Sequence, residues 1–132
     1  MKKVALITTN KILAQSLDSA MKSMPNLDFQ LTLLLDSHQA LLDAEVLEID
    51  VALIDVGLID IMDNDIKEKE TSLTFCEKLH ASLPNCHLLL IVSQEDKANR
   101  IMATEAKRKK IIDDYVFYDA SLKYLFAKVA AL

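Results

Sequence analysis

Five short runs of consecutive apolar residues recur along this 132-residue chain: VALI at 4–7, LTLLL at 31–35, VALI again at 51–54, LLLIV at 88–92 and YVFY at 115–118. Runs of this length without polar alternation fit strands buried on both faces, as in a parallel sheet. Amphipathic segments separate them. Ile12, Leu13, Leu17, Ala20, Met21 and Met24 form one helical stripe, and Ala40, Leu41, Ala44, Val46 and Leu47 a second. Leu73, Phe75, Cys76, Leu79 and Leu83 make a third, Ile101, Met102 and Ala106 a fourth, and SLKYLFAKVAAL at the C-terminus a fifth. Such stripes are the buried faces of surface helices. The result is a strand–helix unit repeated five times, which successive crossovers wind into an open sheet with helices on both faces.

Punctuation supports this order. Asp36, Ser93 and Asp119 stand where helix N-caps are needed, and Pro25 and Pro84 fall just past the ends of the first and third helices. At 132 residues, with 52% hydrophobic and 27% charged residues, a single domain over 1–132 is the expectation. No run approaches the length of a membrane helix or a signal peptide core, and two cysteines are too few for a disulfide framework. A cytoplasmic protein with reduced thiols is expected. A net charge of −5 argues against direct nucleic-acid binding by the body of the domain.

In doubly wound sheets ligands sit outside the carboxyl ends of the strands, near the point where strand order reverses. That rule selects Thr8 and Thr9 after the first run, Asp55 after the third, Ser93 after the fourth, and Tyr118 with Asp119 after the fifth. Asp55 is the one carboxylate among the inner three tips. It closes an otherwise apolar stretch, IDVALIDVGL, and so is either a turn residue or a site of chemistry.

With these positions marked, the chain resembles a response-regulator receiver domain of two-component signalling, over essentially its whole length. The resemblance implies a flavodoxin-like five-stranded parallel sheet of order 2-1-3-4-5. It further implies that Asp55 accepts a phosphoryl group from a sensor histidine kinase, that Ser93 binds that group, and that Tyr115 switches rotamer with it. The Gly57 carbonyl and Asp55 would hold Mg²⁺. The face made by the fourth helix, fifth strand and fifth helix would serve homodimerisation or output. A phosphorelay role follows, controlling an output partner or an effector domain such as a DNA-binding one, from a stand-alone receiver or the N-terminal piece of a longer regulator.

Two charged parts of the family pattern are replaced. Thr8 and Thr9 stand where an acidic pair is usual, and Tyr118 stands where a lysine is usual. Mg²⁺ is ordinarily held by carboxylates with phosphate oxygens and water, and phosphoryl transfer relies on cations at the spreading oxygen charge. Two hydroxyls supply neither. Ordinary Mg²⁺-dependent chemistry is therefore in question, and an atypical receiver stands beside two alternatives: a pseudo-receiver working purely through protein contacts, and a flavodoxin-like module that binds a small ligand.

The acidic segment 59–70 is longer than the family's usual link, and Asp60 or Asp63 could lend a ligand, though a solvated loop is the simpler reading. Cys76, His80, Cys86 and His87 match no strong zinc spacing and read as core and surface positions. The run KRKK at 107–110 complements a helix C-terminus. With Gly57 as the single glycine, no phosphate loop or dinucleotide fingerprint exists, and no nucleophile elbow or triad is visible, so an enzyme is not expected.

Overall fold

A computed structural model of the chain describes residues 2–24, 29–56 and 72–132. Strands β1 (Lys2–Ile7), β2 (Phe29–Leu34), β3 (Val51–Asp55), β4 (His87–Val92) and β5 (Asp114–Phe117) alternate with helices α1 (Lys11–Lys22), α2 (Ser37–Leu47), α3 (Ser72–Ser82), α4 (Lys97–Arg108) and α5 (Leu122–Ala131). The five strands form one parallel sheet in the order β2-β1-β3-β4-β5, as the doubly wound reading requires. Consecutive strands cannot all be neighbours in this order, and the sheet reverses direction of growth between β1 and β3.

The two VALI runs lie side by side in register, Val4 opposite Val51 through Ile7 opposite Ile54. Their alternation divides the core. Ala5, Ile7, Ala52 and Ile54 pack with Ala40, Ala44, Phe75, Cys76 and Leu79 on the side covered by α2, α3 and α4. Val4, Leu6, Val51 and Leu53 pack with Ala14, Leu17, Leu125, Phe126 and Val129 beneath α1 and α5. Full burial of one Leu or Ile side chain contributes about 2 kcal/mol, which is why uninterrupted apolar runs suit strands covered on both faces.

A chain with a single glycine must end its helices otherwise. Glu48 and Lys110 take left-handed φ of 53° and 64° just past α2 and α4. Ile49 N–H then donates to Ala44 O and Ile111 N–H to Ala106 O, while Glu48 N–H reaches Glu45 O and Lys110 N–H reaches Lys107 O. Both helices thus close with the paired bonds of a Schellman turn, using residues other than the glycine usually found there.

Several local expectations are corrected. Asp96, three residues beyond Ser93, caps α4 by accepting from Asn99 N–H, and Ser121 rather than Asp119 caps α5 by accepting from Tyr124 N–H. Ile12, Val46 and Ile101, assigned to buried stripes, are 77%, 72% and 56% exposed. The sheet covers only a narrow part of each helix, so the outer members of an apolar stripe are left in solvent. Pro25 lies outside the described residues, as do Gly57 and the segment 59–70 with Asp60 and Asp63.

Candidate functional site

β3 is buried at all five positions, Asp55 included, with 5% of its surface exposed. Because Ile7 pairs with Ile54, the next residue on each strand meets its counterpart across the tip. Thr8, fully buried, donates its hydroxyl to Asp55 Oδ2 at 2.7 Å. The pleat continues the series Val4, Leu6, Thr8 and Val51, Leu53, Asp55, so both residues belong to the sheet face beneath α1 and α5. Thr8 is held by its neighbours: its N–H donates to Leu34 O at 3.2 Å, and its hydroxyl oxygen accepts from Asn10 N–H at 3.0 Å. Asn10 in turn caps α1, its Oδ1 accepting from Ile12 N–H and Leu13 N–H, each at 3.1 Å. Val56 N–H bonds to Ile91 O at 3.1 Å and ties the end of β3 to β4.

A buried carboxylate needs hydrogen-bond donors or a cation. Here a hydroxyl supplies a donor where the family pattern would supply charge at a cation site. A threonine hydroxyl has one proton, and that proton is spent on Asp55. Thr9 is half-buried in the bend that follows and offers no charge. Among the described residues no group of three or more His, Cys, Asp or Glu side chains could hold a metal ion. Mg²⁺ takes octahedral oxygen ligands with one or two carboxylates among them; of Thr8, Thr9, Asp55 and Ser93 only Asp55 supplies one, and Gly57, Asp60 and Asp63 lie outside the described residues.

The other tip positions lie further out. Ser93 is half-buried after β4, its hydroxyl accepting from Glu95 N–H at 3.3 Å and its carbonyl from Asp96 N–H. Tyr118, bonded through its N–H to Val92 O, is 42% exposed and carries no charge toward the tips. Tyr115 packs edge-on against Phe117, with ring centroids 6.0 Å apart, and its hydroxyl lies 3.2 Å from Thr104 Oγ1 on α4. A groove of about 340 Å³ opens there, lined by Arg100, Ile101, Thr104, Glu105, Tyr115 and Phe117 among others. Arg100 Nε is buried at its edge without a hydrogen bond.

Residues outside the tips behave as the sequence suggests. Burial pushes the Cys76 and Cys86 thiols up to about 12, so both stay protonated and unreactive core groups. Lys107 and Arg108 of the KRKK run pair with Asp114 and Glu105 in and beyond the last turn of α4. No helix among the described residues is long and apolar enough to cross a membrane.

The fold recurs in solved proteins. A receiver domain protein of Methanospirillum hungatei superposes with a TM-score of 0.75 at 14% identity, over 99% of this chain and 92% of its own. The chain has the receiver-domain fold. A response regulator of Burkholderia pseudomallei, solved with a phosphorylated aspartic acid, a calcium ion and citrate, covers 99% of this chain and 72% of its own at 17% identity and a TM-score of 0.71. An adenylate cyclase structure from Rhodopirellula baltica carries the same fold, at 14% identity with a TM-score of 0.77 over 98% of this chain and 85% of its own. No family model matches the sequence, and no curated protein does. At these identities the likeness to receiver domains is one of fold, so the roles of Asp55 and its neighbours rest on the local chemistry.

Thr8 is the residue whose part the sequence understated. It reads there as an acidic position lost, whereas the structure makes it the direct partner of Asp55. The repeated VALI was the available signal: aligning the two copies puts Thr8 beside Asp55.

Proposed function

We propose that the chain is an atypical receiver module of phosphorelay signalling, one domain over 1–132, working in the cytoplasm with a sensor histidine kinase or another signalling protein as partner. The observation that carries this reading is a buried carboxylate, Asp55, at the tip of β3 beside the point where the strand order reverses. In the reaction a carboxylate oxygen of Asp55 attacks phosphorus, an acyl phosphate forms, and the P–N bond to the kinase imidazole breaks with the imidazole taking up a proton. Ser93, at the next tip, would donate to the phosphoryl oxygens. Tyr115 would respond through its contact with Thr104. The groove between α4 and β5, together with α5, would take the output partner or a second copy of the chain, with Arg100 available to a carboxylate.

A second reading has its own support. The hydroxyl of Thr8 in place of charge, and Tyr118 in place of a cation, suit an interaction module whose conformation is set by protein contacts. Incubation with a small phosphodonor, with and without a divalent cation, followed by intact mass, separates the two. The acceptor reading expects a gain of one phosphoryl group that Asp55→Asn abolishes. No gain under any condition leaves the interaction module.

A further inference from the structure

We infer that Thr8 is a positioning residue through which the charge on Asp55 is felt at the start of α1, so that this helix, and not the Tyr115 side alone, reads the state of the site. The inference rests on the reading of Asp55 as the signalling position. Its basis is a continuous set of short bonds. Asp55 Oδ2 accepts from the Thr8 hydroxyl at 2.7 Å, the same hydroxyl oxygen accepts from Asn10 N–H at 3.0 Å, and the Asn10 side chain caps α1 through Ile12 N–H and Leu13 N–H. Thr8 and Asp55 are both buried, so water does not dilute the first link.

A hydroxyl that donates to an ionised acceptor becomes a better acceptor itself, because bonds in a chain polarise one another. The bond to a carboxylate is about twice as strong as one to a neutral oxygen. Conversion of Asp55 to an acyl phosphate turns a carboxylate oxygen into an ester-type carbonyl oxygen and weakens the first link. The second then weakens with it, and the Asn10 backbone at the α1 cap loosens. The first turn of α1 presents Lys11 and Ile12 to solvent, so a change there is available to a partner. Ser93 and Tyr115 make their own hydrogen bonds locally, with Glu95 N–H and with Thr104.

The test is a double-mutant cycle in the 132-residue chain, read by the amide NMR signals of Asn10, Ile12 and Leu13. Asp55→Asn keeps the shape and removes the charge; it is expected to shift these signals and to speed hydrogen exchange at Asn10 N–H about fivefold. In a Thr8→Val background the same substitution is expected to leave them unmoved, and Thr8→Ser, which keeps the hydroxyl, should restore the response. Equal responses in the Thr8 and T8V backgrounds, or no rescue by T8S, overturn the inference. Should T8V not fold, Asp55→Asn alone decides. Faster exchange at Asn10 with no change at Tyr124, an amide capped by Ser121 at the start of α5, supports the coupling, and an unchanged Asn10 overturns it. No phosphodonor enters the cycle. A chain that passes it without ever taking up phosphoryl overturns only the acceptor reading; one that is phosphorylated but fails it overturns only the coupling.

Discussion

Two carboxylates at opposite ends of the sheet's strands have partners of different kinds. Asp55, at the tip of β3, is buried and accepts a hydrogen bond from a neutral hydroxyl, that of Thr8. Asp114, at the start of β5, lies nearer the surface and is held by two ammonium groups, Lys107 at 3.0 Å and Lys128, and by Tyr115 N–H at 2.8 Å. Burial alone would raise the Asp114 carboxyl, but the bonds from Lys128, Tyr115 and Lys107 outweigh it and hold the group below its ordinary range. Lys128 is raised in return, chiefly by its hydrogen bond to Asp114. A carboxylate compensated by full charges is a clamp joining α4, β5 and α5. At Asp55 the bond described is to the hydroxyl dipole of Thr8, buried with it. The difference separates a partly exposed ion-pair network from a buried hydrogen bond within one domain.

The largest effect expected is at the dipole-compensated end. Thr8→Val is close to the same shape but removes a donor from a buried carboxylate, and should destabilise the fold by about 2 kcal/mol in urea or thermal unfolding. A loss well under that for Asp114→Asn would confirm that the exposed network matters less per bond. For Asp114→Asn we expect a loss on the order of 1 kcal/mol, since partly exposed ion pairs gain little over their hydration.

The sign of the pH dependence sharpens the comparison. A carboxyl lowered in the folded state stabilises above its unfolded value, 3.8 for Asp114, and that contribution disappears as pH falls through the depressed folded value. Lys128, raised above 10.5, contributes fully below that value and loses its share as pH rises through the folded one. Unfolding followed from pH 5 downward should therefore lose stability more steeply in the wild type than in D114N. An identical acid limb in the two proteins would remove Asp114 from the account. The smallest effect is expected from salt. Raising ionic strength to about 1 M shortens the screening length to about 3 Å and should erode the Asp114 contribution while leaving the Thr8 to Asp55 contribution unchanged.

Much of this was visible along the chain. The apolar runs located all five strands, because a strand covered on both faces has no reason to alternate. The stripes located the helices, since their spacing reflects a local period. Asp55 was legible as a tip residue for the same reason. Cap positions were less secure: Ser93 and Asp119 are plausible caps by type, yet Asp96 and Ser121 won because the chain leaves each strand through a turn before the helix begins. Composition alone could not tell which apolar residues of α1, α2 and α4 would stay outside, because Ile12, Val46 and Ile101 look like core until the sheet's width is known.

The sequence by itself determined the alternation of elements, the parallel sheet and the placing of a lone carboxylate at an inner strand tip, since each follows from local periodicity and the burial of apolar surface. Only the tertiary structure decided what that carboxylate touches. Thr8 and Asp55 are 47 residues apart along the chain, and a one-residue slip of β1 against β3 would send one of them to the opposite face. The register of two identical tetrapeptides, set by packing on both sides of the sheet, brings a hydroxyl where a charge would have served a different chemistry.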